Sequence, residues 1–190
     1  GAANLVVSQH TISITDDEHQ IIITEIADPK DDREGRYIEI YNSSNSAIDL
    51  STYYLIRWTN GNDDPQNSKT TLRLECGSSL PAKTICIISE KTESTFSGIY
   101  GLSSDGDAPD GGAAGSNGDD NMAIVTIASG VTYDNENPST YTVIDMFGLA
   151  GEDGTGTSHE FEDGRAERKS TVTTPQSTWS SGDWNIDNGG

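Results

Sequence analysis

The stretch IIITEIADPKDDREGRYIEIYNSSNSAIDLS, residues 21 to 51, holds two apolar runs, each with a glutamate beside its end: Glu25 and Glu39. Two carboxylates facing one cleft at roughly 5 to 10 Å form the acid/base pair of a glycoside hydrolase. Their surroundings argue for a different role. Neither glutamate is flanked by the aromatic and polar residues that shape a sugar site, and both fall within strand-like runs. Alternation around Glu39 places it on one face with Tyr37 and Tyr41, leaving Ile38 and Ile40 on the other. A carboxylate so placed accepts hydrogen bonds from a neighbouring turn or pairs with an arginine, and Arg168 is the candidate partner. Asn42 is read the same way: it stands where the second run enters SSNS, and its side chain can bond the backbone of that turn.

Other chemical vocabularies are thinner. Hard oxygen donors gather in the Gly-rich stretches DGDAPDG and NGDD, which supply Asp105, Asp107 and Asp110, then Asn117, Asp119 and Asp120. Ca2+ is the cation such donors suit. The pattern is not an EF-hand, because Pro109 occupies the fifth ligand position, and in so acidic a chain a solvated loop is the competing reading. The three histidines, His10, His19 and His159, show no HExxH spacing, and HEFED fails at its fifth position. There is no G-x-S-x-G elbow and no Walker loop. Cys76 and Cys86 lie in apolar contexts that raise a thiol pKa, which disfavours a nucleophile. If TTLRLEC and KTICIIS pair as a hairpin about SSLPA, Cys86 falls beside Cys76 and a disulfide closes in an oxidising exterior. If the two segments lie in different sheets, the thiols are small buried hydrophobes. Trp58, Trp179 and Trp184 could stack on sugars, but the favoured reading is that the tail folds back and Trp179 and Trp184 cover an open edge or end of the fold. The expectation is a protein that is not an enzyme.

The elements that position these residues are strands. At 190 residues the chain suits one domain, and with only 32% hydrophobic residues and abundant Gly, Asn, Asp, Ser and Thr it predicts many short strands joined by elaborate loops. Strand-like runs appear in IIITEI, RYIEIYN, TYYLIRW, TTLRLEC, KTICIIS, MAIVTIAS and YTVIDMFG, with a weaker alternating segment in LVVSQHTISI. From 97 to 121 the chain is poor in apolar residues and rich in Gly and Asp, which predicts loop, and no window sustains helical periodicity. The net charge of −20 repels polyanions, so autonomous nucleic-acid binding is not expected. No apolar run is long enough to span a membrane. The opening GAANLVVSQ has the look of a mature or trimmed start, from which an export signal or a lipid anchor would have been removed.

The succession IIITEIADP, GRYIEIYNSSNSAIDLSTYYLIRW, LPAKTICIIS, NGDDNMAIVTI and VIDMFG resembles the lamin tail domain family, over about residues 21 to 148. The family pattern of a run ending in Glu, an aromatic-IE-apolar-YN run and a D-L-S turn falls on Glu25, Tyr37, Ile38, Glu39, Tyr41, Asn42, Asp49 and Leu50. The resemblance implies an all-β, immunoglobulin-like β-sandwich with long Gly/Asp-rich loops. Residues 1–20 are then an N-terminal accessory segment, 21–148 the sandwich and 149–190 a C-terminal extension packing on it. That extension, FEDGRAERKSTVTTPQSTWSSGDWNI, is similar to tails found in bacterial secreted proteins, some of which carry nuclease or phosphoesterase domains. There is no heptad rod, basic localisation cluster or CaaX box, so filament and nuclear roles are not implied. The expected function is a non-catalytic interaction or accessory module of a secreted or cell-surface bacterial protein, with a protein or polysaccharide partner. The alternatives are part of an extracellular metal-dependent hydrolase and a carbohydrate-binding module.

Overall fold

β-Branched runs and strict alternation become strands, and the exceptions to alternation set the shape of the functional face. The structure, a computed structural model, describes residues 20–66, 74, 76–107 and 112–189. Its elements in chain order are β1 (Ile21–Ala27), β2 (Tyr37–Asn42), β3 (Ile48–Asp49), β4 (Tyr53–Trp58), β5 (Ser79–Leu80), β6 (Ile85–Ser89), α1 (Glu93–Tyr100), β7 (Gly106–Asp107), β8 (Asn121–Thr126), β9 (Thr142–Phe147), β10 (Arg165–Arg168) and β11 (Trp184–Asp187). A six-stranded sheet in the order β11-β10-β1-β2-β6-β7 lies against a three-stranded sheet, β4-β8-β9, and β3 pairs with β5. This is the expected sandwich.

Between the two larger sheets lies one core, in which Ile23 and Ile26 of β1, Ile38 and Ile40 of β2 and Ile88 of β6 meet Leu55, Ile124 and Phe147. Burial of these branched side chains supplies most of the driving force for folding. In β1 the register slips between Ile23 and Glu25, so that Ile23 faces Ile40 while Glu25 faces Glu39. The slip is a β-bulge, and it changes the phase of the strand. Strict alternation from Ile21 and Ile23 would point residue 25 into the core. With the bulge, Ile26 takes the core position and Glu25 joins Ile22 and Thr24 outside.

One segment departs from its sequence expectation. Helix α1 begins before the stretch read as loop and runs to Tyr100, where Gly101 stops it with a left-handed φ of 68° and its N–H donates to the Ser97 carbonyl. The helix exists because Phe96, buried, packs edge-on against Tyr37 of β2 at 5.6 Å, and Tyr100 donates to the Gly35 carbonyl at 2.8 Å. Tertiary docking supplies what local periodicity lacks. The C-terminal extension, in turn, is woven into the main sheet. β10 pairs with the free edge of β1, Ile26 facing Ala166, and β11 pairs with β10. An otherwise open sheet edge is thereby covered by the chain's own later residues.

Candidate functional site

The outer face of the six-stranded sheet carries the chemistry. Because β10, β1 and β2 are in register, Glu167, Glu25 and Glu39 stand directly opposite one another in a row across three strands. They line a groove of about 400 Å3 whose remaining surface includes Ile22, Tyr41 and Val172. Like charges on directly paired positions destabilise a sheet, so the row needs compensation. Glu25 receives it from two sides: the Tyr37 hydroxyl donates to its Oε1 at 2.7 Å and Arg165 Nη1 lies 3.3 Å from the same oxygen. Thr24, on the same outer face, donates to Glu39 Oε1 at 2.6 Å. Glu167 makes no ion pair or side-chain hydrogen bond among the described residues. Partial burial, reinforced by the charges of Glu25 and Glu167, raises the pKa of Glu39 against the pull of the Thr24 hydrogen bond. Burial and the neighbouring Glu25 also push the Tyr37 hydroxyl well above its ordinary range, so it stays a donor.

The expected partner for these glutamates, Arg168, points elsewhere. Burial alternates along β10, with Arg165 and Glu167 exposed and Ala166 and Arg168 buried, so Arg165 reaches Glu25 and Arg168 enters the core. There Arg168 Nη2 pairs with Asp145 Oδ2 at 2.7 Å, Nε donates to the Ile23 carbonyl at 2.8 Å, and the guanidinium lies 4.3 Å over the Trp184 ring. Asp145 completes the knot by accepting the N–H groups of Ile23 at 2.8 Å and Gln176 at 2.7 Å. Both backbone polar groups of Ile23, the residue before the bulge, are thus satisfied by side chains. Burial raises the Asp145 carboxyl and Arg168 with the two N–H donors pulls it back, leaving it at about 6, below neutral pH. The sequence signal for this site was a charged residue inside the apolar run YTVIDMFG, the mark of a buried carboxylate with a partner.

The remaining candidates are placed as follows. Asn42, fully buried, donates from Nδ2 to the carbonyls of Ser46 and Leu80 at 2.9 Å and of Pro81 at 3.0 Å, and accepts the Ser44 N–H at 2.9 Å, so it pins the turn it enters together with a second one. Asp105 accepts the Ile87 N–H at 2.9 Å, and Asp107 forms part of β7. Asp119 Oδ2 and Asp120 Oδ1 hold Asn60 at 2.9 and 3.0 Å, and Asp120 lies 3.3 Å from the buried Arg57. Asp110 lies outside the described residues. Among those described, no three acidic, histidine or cysteine side chains converge as a metal would require. Cys76 and Cys86 are bridged, with Cα atoms 5.8 Å apart. β6 pairs with β2 and β7, so among the described residues the bridge tethers Cys76 to β6 without a hairpin ladder between their two segments.

The tryptophans form no sugar platform. Trp58 and Trp184 are each 4% exposed, and Trp179 and Trp184 stand edge-on to Phe147 at 5.0 and 4.9 Å, closing the end of the core with Phe161 and His159. His159 has no solvent exposure, its Nδ1 lies 3.0 Å from the Thr157 hydroxyl, and burial lowers its pKa.

Comparison with known proteins agrees with this architecture. The family model of the Lamin Tail Domain matches residues 15–189. No curated protein matches the chain. Among solved structures, a DUF4876 family protein from Bacteroides thetaiotaomicron VPI-5482 superposes with a TM-score of 0.50 over 89% of this chain and 68% of its own, at 13% identity, a likeness of fold alone.

Proposed function

Because the chain belongs to the lamin tail domain family, an immunoglobulin-like β-sandwich, we propose that it serves as a non-catalytic interaction module of a secreted or cell-surface bacterial protein. The observation that carries this reading is the outer face of the six-stranded sheet: a groove of about 400 Å3 held on rigid strands, with its polar groups fixed by one another. Binding sites built on strands keep their geometry better than sites on loops. The Cys76–Cys86 bridge supports placement in an oxidising compartment.

A hydrolase is the second reading, favoured by Glu25 and Glu39 sharing that groove. Geometry weakens it. Directly paired side chains on neighbouring strands rise from the floor in parallel, so a ligand in the groove lies over both carboxylates, whereas glycosidase carboxylates flank the scissile bond from two sides. A panel of chromogenic glycosides and phosphodiesters tests the choice. The module reading expects no turnover above a blank, and turnover abolished by Glu39→Gln would overturn it.

A further inference from the structure

We propose that the outer face of the six-stranded sheet docks a cationic peptide segment, with a lysine or arginine side chain seated over Glu25, Glu39 and Glu167. The inference rests on the module reading and names the partner's chemistry. Its first support is charge that the fold compensates only in part, since Arg165, paired with Glu25, is also the cation whose attraction reaches Glu167. Of the cations near the groove, Arg165 engages Glu25, Arg168 is committed to Asp145 in the core, and the Lys169 ammonium donates to the Gly182 carbonyl at 2.6 Å. Glu167 and the second oxygens of Glu25 and Glu39 make no ion pair or hydrogen bond among the described residues, although a single internal lysine on a neighbouring strand would neutralise the row.

The second support is apolar and independent of the carboxylates. Beside the row, with the buried Ile22 beneath the groove, Tyr41 stands opposite Ile85, a β-branched side chain left 46% exposed on a paired strand. Nothing in the described chain covers it. Lysine and arginine are the side chains that match both surfaces at once, since their aliphatic stems lie on apolar groups while the charged head reaches a carboxylate. The cavity accommodates side chains of that size. A bare divalent ion fits less well, because no three ligands converge among the described residues. The net charge of −20 steers cationic partners towards the molecule, and the groove gives one place on it where such a partner can be desolvated.

The test is fluorescence anisotropy with a short labelled peptide alternating lysine and valine, at near-physiological salt. The paired substitution Glu39→Gln with Glu167→Gln should weaken binding by about tenfold or more, equivalent to about 1.4 kcal/mol. A control with the same charge change on exposed residues of the loop before β9, Asp134→Asn with Glu136→Gln, should change it by less than about twofold. Val172→Lys, which sets a fixed cation on the groove wall, should compete with the peptide and weaken it as well. Equal losses in the groove and control pairs would assign the attraction to net charge and overturn the proposal. So would equal binding of the same peptide with its lysines acetylated, or of spermine with the same response to the groove substitutions. Absence of peptide binding without substrate turnover overturns the cationic partner and leaves the module reading standing, while turnover abolished by Glu39→Gln overturns the module reading itself.

Discussion

Replacing Asp145 by alanine removes the acceptor for three donors at once. The Ile23 N–H at 2.8 Å, the Gln176 N–H at 2.7 Å and Arg168 Nη2 at 2.7 Å are left facing a cavity in the core, and Arg168 becomes a charge without its counter-ion, with a side chain only 1% exposed. Leaving a buried donor unpaired costs about 1–3 kcal/mol, and breaking a buried ion pair by removing one member costs about 3–5 kcal/mol. These penalties overlap, because relaxation that rescues Arg168 also admits water to the N–H groups, so about 4 kcal/mol is the expected total. Against a typical stability of about 5–15 kcal/mol the variant is severely weakened but still folded. With a urea m-value of about 2 kcal/mol/M, the midpoint should fall by about 2 M. Asp145→Asn keeps one acceptor oxygen and should lose about half as much. Asp145→Leu combined with Arg168→Met removes both charges and should cost clearly less than the sum of the two single changes, a coupling of about 2 kcal/mol. A midpoint shift under about 0.5 M for Asp145→Ala, or strict additivity in the double variant, would refute the view that this pair holds the bulged segment of β1.

Further outcomes follow from other parts of the fold. Reducing the Cys76–Cys86 bridge, which closes a loop with a sequence separation of 10, should lower stability by about 2–3 kcal/mol in urea melts with and without reductant, and thiol titration of the denatured, unreduced protein should find no free thiol. His159 has a folded-state pKa depressed by burial, with Glu152 and Asp153 pulling it back up. The unfolded chain therefore takes the proton first, and this contribution to stability is intact above the unfolded pKa of about 6.5 and lost as pH falls towards the folded value. Asp145, raised to about 6 in the folded state, has the opposite sign, its contribution being lost as pH rises from about 4 through 6. His159→Gln should consequently lose less of its melting temperature than the parent between pH 7 and pH 5; equal slopes would show that His159 does not titrate in the core. Gly118 has a φ of 95°, and a Cβ there would stand 2.3 Å from the Glu162 backbone, so Gly118→Ala should cost about 3 kcal/mol or more by the same melts.

The strands that follow a period of two were legible, and the face they present was not. In β2 the alternation of Tyr37, Glu39 and Tyr41 with Ile38 and Ile40 places each residue where the structure has it. In β1 a single inserted residue reverses the assignment after Ile23, and no local signal distinguishes a bulge from an ordinary strand. β10 reads RAER, with neither β-branched nor aromatic residues, and becomes a strand because the edge of β1 is there to pair with. Its phase could not be known in advance. Arg165 and Arg168 are three positions apart and so face opposite sides of the sheet, which is why Glu25 found a different arginine from the one its sequence suggested. Glu167 was missed for the same reason, since only the register of β10 against β1 brings it level with Glu25.

The order β11-β10-β1 also decides how the sandwich meets mechanical load. β10 runs antiparallel to both neighbours, so β1 and β11 point the same way, with Ala27, Arg165 and Asp187 level at one end of the sheet and Ile21 at the other. Tension between Ile21 and Asp187 therefore acts along the strands, and the hydrogen bonds of the β1–β10 and β10–β11 ladders bear it together instead of opening one after another. Arg168, joined to the Ile23 carbonyl and to Asp145, acts as a cross-pin against that sliding motion. A module attached through these two strands would resist being pulled apart along the edge that its C-terminal extension supplies.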